Sequence, residues 1–178
     1  MKPPILKREN FNMRSFVAED DKPLHAILND LEVIRYFPFK QPPTLEQTQR
    51  FVQRQIQHWV DHGYGWWALE DAATGRFIGW SGLQYLPELK QTEIGYLLDR
   101  DFWGKGIATE SARAGLDFGF KDTDLTTIIA LVHPGNKASI HVLEKLKMHF
   151  LEQINLWEMD LLKYSIGEAE RPAGTQPV

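Results

Sequence analysis

The stretch Glu93 to Glu110, EIGYLLDRDFWGKGIATE, carries the densest chemical signal in the sequence. Gly104 and Gly106 bracket Lys105 directly before Ile107, where small residues begin to recur at helical spacing. The start of a helix exposes backbone N–H groups and the positive end of the helix dipole. Glycines let an anion come close to that backbone. This chemistry suits a phosphate-bearing ligand held between Phe102 and Ala108, although an ordinary strand-to-helix turn has the same spacing. The standard phosphate signatures are incomplete. No G-x-x-x-x-G-K-[ST] run is present, and Thr109 stands where a dinucleotide fingerprint needs its third glycine.

Other chemistry is sparse. His58 and His62 are four residues apart, but Trp59 takes the place of the glutamate in H-E-x-x-H. His133, His141 and His149 form no ligand pattern, so no metal site is expected. There is no cysteine, which excludes disulfides, a cysteine nucleophile and thiolate metal sites.

The elements that must position the glycine turn follow from periodicity. Glu93–Leu98 predicts a strand leading into it, and Ile107 to about Phe120 a helix. Ala108, Ala112, Gly115 and Gly119 give that helix a small-residue stripe for close packing on a sheet. Thr126–Val132 is a continuous apolar run, as expected of a strand buried on both faces. Pro134-Gly135 breaks it, and Asn136 caps a helix to Leu146. Upstream, a strand is expected over Asn12–Val17. A helix follows from Asp20 or Asp21 to Asn29, with Leu24, Ile27 and Leu28 inward. Tyr36–Pro43 is a proline-punctuated aromatic loop, and Thr44 caps a helix to His62. Trp66–Glu70 and Phe77–Leu83 read as strands joined at Ala73-Thr74-Gly75. His149–Ile154 and Trp157–Ser165 read as closing strands. Residues 1–10 read as a polar lead, 11–166 as a single domain and 167–178 as a polar tail. The class is mixed α+β, with topology left open.

Composition narrows the function classes. At 178 residues the chain is long enough for one substantial core. Its 20 Lys and Arg against 24 Asp and Glu give a net charge of −4, which argues against a nucleic-acid binder. No apolar run reaches a membrane-spanning length, and the N-terminus has no signal-peptide core. A cytoplasmic protein is expected, with no nucleic acid or membrane as partner.

Trp103-Gly104-Lys105-Gly106-Ile107-Ala108-Thr109-Glu110 resembles the pyrophosphate loop of the GNAT superfamily of N-acetyltransferases. The nearest likeness is to its ribosomal-protein-alanine (RimJ/RimL-type) branch. Asn136-Lys137-Ala138-Ser139-Ile140 and Val142–Leu146 resemble that branch's N-x-x-S helix. Phe77-Ile78-Gly79 with Gly82-Leu83 resembles its central hairpin, and Met13-Arg14 with Glu19-Asp20 its first strand and helix start. The likeness covers roughly residues 10–165.

The resemblance implies the GNAT fold: a central mixed, mostly antiparallel sheet flanked by helices, with the Glu93–Leu98 and Thr126–Val132 strands splayed apart. It implies acetyl transfer from acetyl-CoA to a primary amine, a protein N-terminus or a small molecule, by direct attack in a ternary complex. The amides of Phe102, Trp103, Gly104, Lys105, Gly106, Ile107 and Ala108 would hold the pyrophosphate. Leu97 and Leu98 backbone groups would meet the pantetheine arm, and one amide there would steady the oxyanion. Asn136 reads both as an N-cap and as a pantetheine contact. Ser139 is the candidate acid for the leaving thiolate, because Leu143 stands where many family members carry a tyrosine acid. Glu93 is the candidate base, acting directly or through water, and its loss is expected to cost most at low pH. Phe37, Phe39 and Trp66 are expected in the acceptor wall. Lys147 departs from a usual glycine. No metal is implied, and a homodimer is left open. The missing tyrosine supports one alternative, a non-catalytic acyl-CoA-binding module of the same fold.

Overall fold

A computed structural model describes residues 3–39 and 41–170; the tail expected over 167–178 lies outside the described residues from position 171 onward. The strands are β1 (Leu6–Lys7), β2 (Phe11–Arg14), β3 (Trp66–Asp71), β4 (Phe77–Leu86), β5 (Gln91–Leu98), β6 (Thr127–Val132), β7 (His149–Leu156) and β8 (Met159–Gly167). The helices are α1 (Asp21–Leu28), α2 (Leu31–Ile34), α3 (Leu45–His62), α4 (Ile107–Asp122) and α5 (Lys137–Lys145). All eight strands join one sheet in the order β1-β2-β3-β4-β5-β6-β8-β7. Each neighbouring pair is antiparallel except β5–β6, which is parallel and meets at a single register point, Glu93 opposite Ile129. Beyond that point the two strands diverge, and a gap opens in the middle of the sheet.

Two apolar layers cover the two faces. Alternation along β3 and β5, and along β4 beyond the register shift at its start, sends Trp67, Leu83, Ile94 and Leu98 to one face, where Ile78 joins them and α4 packs. Trp66, Trp80 and Leu97 go to the other, with Leu24 and Ile27 of α1 and Val52 of α3. The small-residue stripe of α4 does what its spacing implies. A Cβ on Gly115 would stand 2.9 Å from Ile94 Cδ1, and one on Gly119 2.8 Å from Leu83 Cδ1. Nothing larger fits while the helix lies this close to the sheet.

The helix ends follow their caps. Thr44 and Gln47 make a reciprocal capping box at α3, with Gln47 N–H on Thr44 Oγ1 at 3.2 Å and Thr44 N–H on Gln47 Oε1 at 2.7 Å. At the end of α5, Met148 N–H bonds Leu143 O and Lys147 N–H bonds Glu144 O, each at 3.0 Å. This is a Schellman ending, and Lys147 holds its left-handed position at φ 63°. The departure from glycine therefore leaves the turn intact.

Three features differ from the sequence reading. The polar lead contains β1, which pairs with β2 and is tied down by Trp67 Nε1–H donating to Pro4 O at 2.9 Å. Asp30 caps the extra helix α2 through Glu32 N–H. Trp157, expected in a strand, sits with Glu158 in the β7–β8 hairpin turn, both with positive φ.

Candidate active site

The glycine turn lies at the mouth of the gap. Gly106 is the N-cap of α4 at φ 80°, and Gly104 precedes it at φ 73°, a region open to glycine and strained for other residues. No side chain caps α4. Its first amides therefore face outward without a side-chain acceptor, the arrangement an anion needs. Around this turn, Lys105 Nζ lies 4.6 Å from the Phe102 ring centre, and the half-exposed Trp103 donates its indole N–H to Leu98 O at 2.9 Å.

The edge of β5 that borders the gap can be read from one hydrogen bond. Asp99 N–H donates to Ile78 O at 2.8 Å. Antiparallel alternation then turns the backbone groups of Leu97 toward β4 and those of Tyr96 and Leu98 toward the gap. Consistently, a Cβ on Gly79 of β4 would stand 2.0 Å from Leu97 O. Of the pair expected to meet the pantetheine arm, Leu98 turns its backbone groups to the gap and Leu97 turns to β4; Tyr96 shares the gap-facing parity. With Leu98 O engaged by Trp103, the free groups on this edge are the Leu98 N–H and the N–H and C=O of Tyr96.

Asn136 caps α5, its Oδ1 accepting from Ser139 N–H at 3.1 Å. The carboxamide NH₂ stays available to the cleft that Asn136 lines. Ser139 does not stand alone. Its Oγ lies 2.8 Å from the hydroxyl of Tyr96, which also donates to Ser139 O at 3.2 Å. Burial pushes the Tyr96 phenol up to about 12, only partly offset by the Ser139 bond. The sequence reading missed Tyr96, because the family-like position for a tyrosine is Leu143, which is buried in the core. The available signal was its place on the strand that borders the gap.

The cleft that Tyr96, Asn136 and Ser139 line has a volume of about 680 Å³ and continues through the gap to the opposite face. Glu93, Gly95 and Leu97 line it from β5, and Phe37 and Phe39 from the loop before α3. Trp66 and Trp80 stack with centres 3.8 Å apart and planes 13° apart. Phe51 lies 5.6 Å from Trp66, and Phe37 meets Trp80 edge-on at 6.5 Å. Tyr36 stacks on His133 at 5.0 Å, joining this wall to the loop that carries Asn136. Desolvation pushes the Glu93 carboxyl up to about 8, with a smaller push from the charge of Glu88. Among the described residues, no group of three or more His, Asp or Glu could hold a metal ion, and no helix is long and apolar enough to cross a membrane.

A sheet split at one parallel pair, with an uncapped helix start at the mouth of the split, offers a slot for an extended ligand arm that ends in an anion. The family model described as "Acetyltransferase (GNAT) domain" matches residues 10–149. YkkB, an uncharacterized protein of Bacillus subtilis (strain 168), is 35% identical over 162 residues, covering 89% of this chain and 93% of that protein. The crystal structure of a GNAT-family acetyltransferase from Bacillus anthracis superposes with a TM-score of 0.79 at 27% identity, covering 94% of this chain and all of that one. RimL, a ribosomal L7/L12 alpha-N-protein acetyltransferase solved with coenzyme A, shares the fold with a TM-score of 0.77 at 19% identity, over 92% and 98% of the two chains. The chain belongs to the GNAT acetyltransferase family and is an acetyl-transferring enzyme.

Proposed function

We propose that this enzyme moves an acetyl group from acetyl-CoA to a primary amine by direct attack in a ternary complex, and that it falls in the RimJ/RimL-like branch. The acceptor is a protein N-terminus or a small amine, and the working unit is the domain over residues 11–166. One observation carries the reading: two sets of groups reach the same gap from opposite faces of the sheet. Tyr96, Ser139 and the bare start of α4 lie on one side, and Glu93 under its aromatic wall lies on the other.

The residues divide the work accordingly. The first amides of α4 hold the pyrophosphate, with Lys105 adding charge. The free edge of Tyr96 and Leu98 pairs with the pantetheine arm, with Asn136 contributing its NH₂. A free amide on that edge stabilises the developing oxyanion. The acceptor enters as the free amine, which an α-amine with a pKa near 8 supplies in quantity, and Glu93 takes the proton that its nitrogen sheds on attack. The neutral nitrogen attacks the thioester carbon, the C–S bond breaks, and the thiolate takes a proton from the Ser139–Tyr96 pair. That hydroxyl pair supplies what the missing tyrosine at Leu143 would have done, which removes the argument for a non-catalytic module.

Titration calorimetry tests the donor half. Coenzyme A should bind the wild type, and Gly106→Asp should abolish binding by placing a strained, negatively charged residue at the helix start. Wild-type protein that ignores millimolar coenzyme A would refute the reading.

A further inference from the structure

The acceptor cleft holds a polar group that its own fold leaves unsatisfied. Trp66 is 7% exposed, and its Nε1–H has no hydrogen-bond partner. A buried donor left unpaired is costly, so it marks a place where an acceptor atom belongs. Its position is fixed by Gly95: an added Cβ there would stand 3.7 Å from Trp66 Nε1 and 3.3 Å from Trp80 Cζ3. Gly95 lies two residues beyond Glu93 on the same face of β5. The strand positions that carry the carboxyl and approach the indole N–H are thus about 7 Å apart. Gln84, directly opposite Glu93 on β4, also carries a buried, unpaired Oε1 facing this cleft.

We propose that the acceptor is an α-aminoacyl group with an apolar or aromatic side chain, its amine at Glu93 and Gln84 and its carbonyl oxygen on the Trp66 N–H. This rests on the amine-acetylation reading above. Two hydrogen bonds of about 2.9 Å, separated by the short distance from an α-amine to its own carbonyl oxygen, span the gap between the two protein groups. Phe37, Phe51 and Trp80 surround the site with ring faces and edges, so the side chain beside that amine is apolar. Charge disfavours a polyamine. Besides Glu93, the charged groups lining the cleft among the described residues are Arg50 and Arg54 on α3. Arg50 is paired with Glu46 at 2.9 Å, and Arg54 has no ion pair among the described residues. A second ammonium group would meet cations there, whereas a free carboxylate would be welcome.

The test compares kcat/KM, referred to the concentration of neutral amine, for phenylalaninamide, phenylalanine, phenethylamine and spermidine, followed by thiol release from acetyl-CoA. An acceptor with the carbonyl should exceed phenethylamine by about tenfold or more, the loss expected for one buried hydrogen bond. Preference for phenylalaninamide points to peptide N-termini, and preference for phenylalanine to free amino acids. Trp66→Phe should bring the ratio to phenethylamine close to one while the acetyl-CoA KM stays unchanged. Gly95→Ala, which puts a methyl against the indole N–H, should do the same and guards against a misfolded Trp66 variant. Equal rates for phenethylamine and its carbonyl-bearing partners, or spermidine as the best acceptor, overturn this inference alone. Coenzyme A binding with no transfer to any amine overturns the reading beneath it as well.

Discussion

Replacing Glu93 by Gln separates a working base from a bystander, and the structure fixes the shape of the result. The carboxyl titrates at about 8 because β5 and the aromatic wall strip it of water. At pH 7 roughly one tenth of it is ionised, and at pH 9 roughly nine tenths. This ionisation alone should therefore raise wild-type kcat/KM nearly tenfold between those values, on top of the acceptor amine's own limb. The Gln variant should lose about 10²–10⁴-fold above pH 8, the usual contribution of a positioned base. Below pH 7 the deficit should shrink about tenfold per unit, since the wild type then holds a proton as well. This inverts the expectation from sequence that the base matters most at low pH; burial, invisible in the sequence, reverses it. The assay is thiol release across pH 6–10 with two acceptors, an α-amine and an alkyl amine, whose own titrations lie about two units apart. The limb due to Glu93 stays in place while the amine's limb moves. Glu88→Gln should shift the limb downward, because the Glu88 charge is the second cause of the elevated value. Thermal melts give an independent check. The unfolded chain ionises Glu93 from about 4.5 and the folded chain only near 8, so stability drops as pH rises through that window. Glu93→Gln should raise Tm at pH 9 and leave it unchanged at pH 4. Superimposable pH–rate profiles for the two proteins would refute the base assignment.

Two further outcomes are expected. Ser139→Ala and Tyr96→Phe should each lower kcat by about 10²–10⁴-fold with coenzyme A affinity retained, and the double variant should cost little more than either single one, because the hydroxyls act as a pair; full turnover in both single variants would remove the pair from the mechanism. Lys147→Gly should stabilise the fold by about 1 kcal/mol in denaturant melts, since a lysine holds a left-handed position there; a loss of stability would contradict the ending described for α5.

Much of this arrangement was legible in the residues because local chemistry determined it. Thr44 with Gln47, Asn136 before α5 and the stripe from Ala108 to Gly119 each specify their contacts within a few positions. The pieces missed depend on partners far away in sequence. β1 is two residues long, and it is tied to the sheet through Trp67, sixty residues downstream. The turn at Trp157 and Glu158 has the backbone of a tight hairpin without the Asn or Gly that usually announces it. Within the site, the glycine turn, Asn136 and Ser139 carry family-like spacing. Tyr96 does not, since its role arises from a hydroxyl on a helix more than forty residues away. Leu97 and Leu98 differ in role by strand parity alone, which requires knowing one hydrogen bond, from Asp99 to Ile78.

The single register point between β5 and β6 has a bearing on the sheet itself. Strands β1 to β5 and strands β6 to β8 are two ribbons joined along their shared border by one bridge and the helices that span them. A row of backbone donors and acceptors in the middle of a sheet is ordinarily a fault that another strand would repair. On the reading proposed above the repairing strand is not protein: the arm of the donor molecule would lie where a peptide would and would close the border only while bound. The enzyme would then complete its own architecture once per turnover and reopen it when the spent donor leaves, with stability and occupancy rising and falling together.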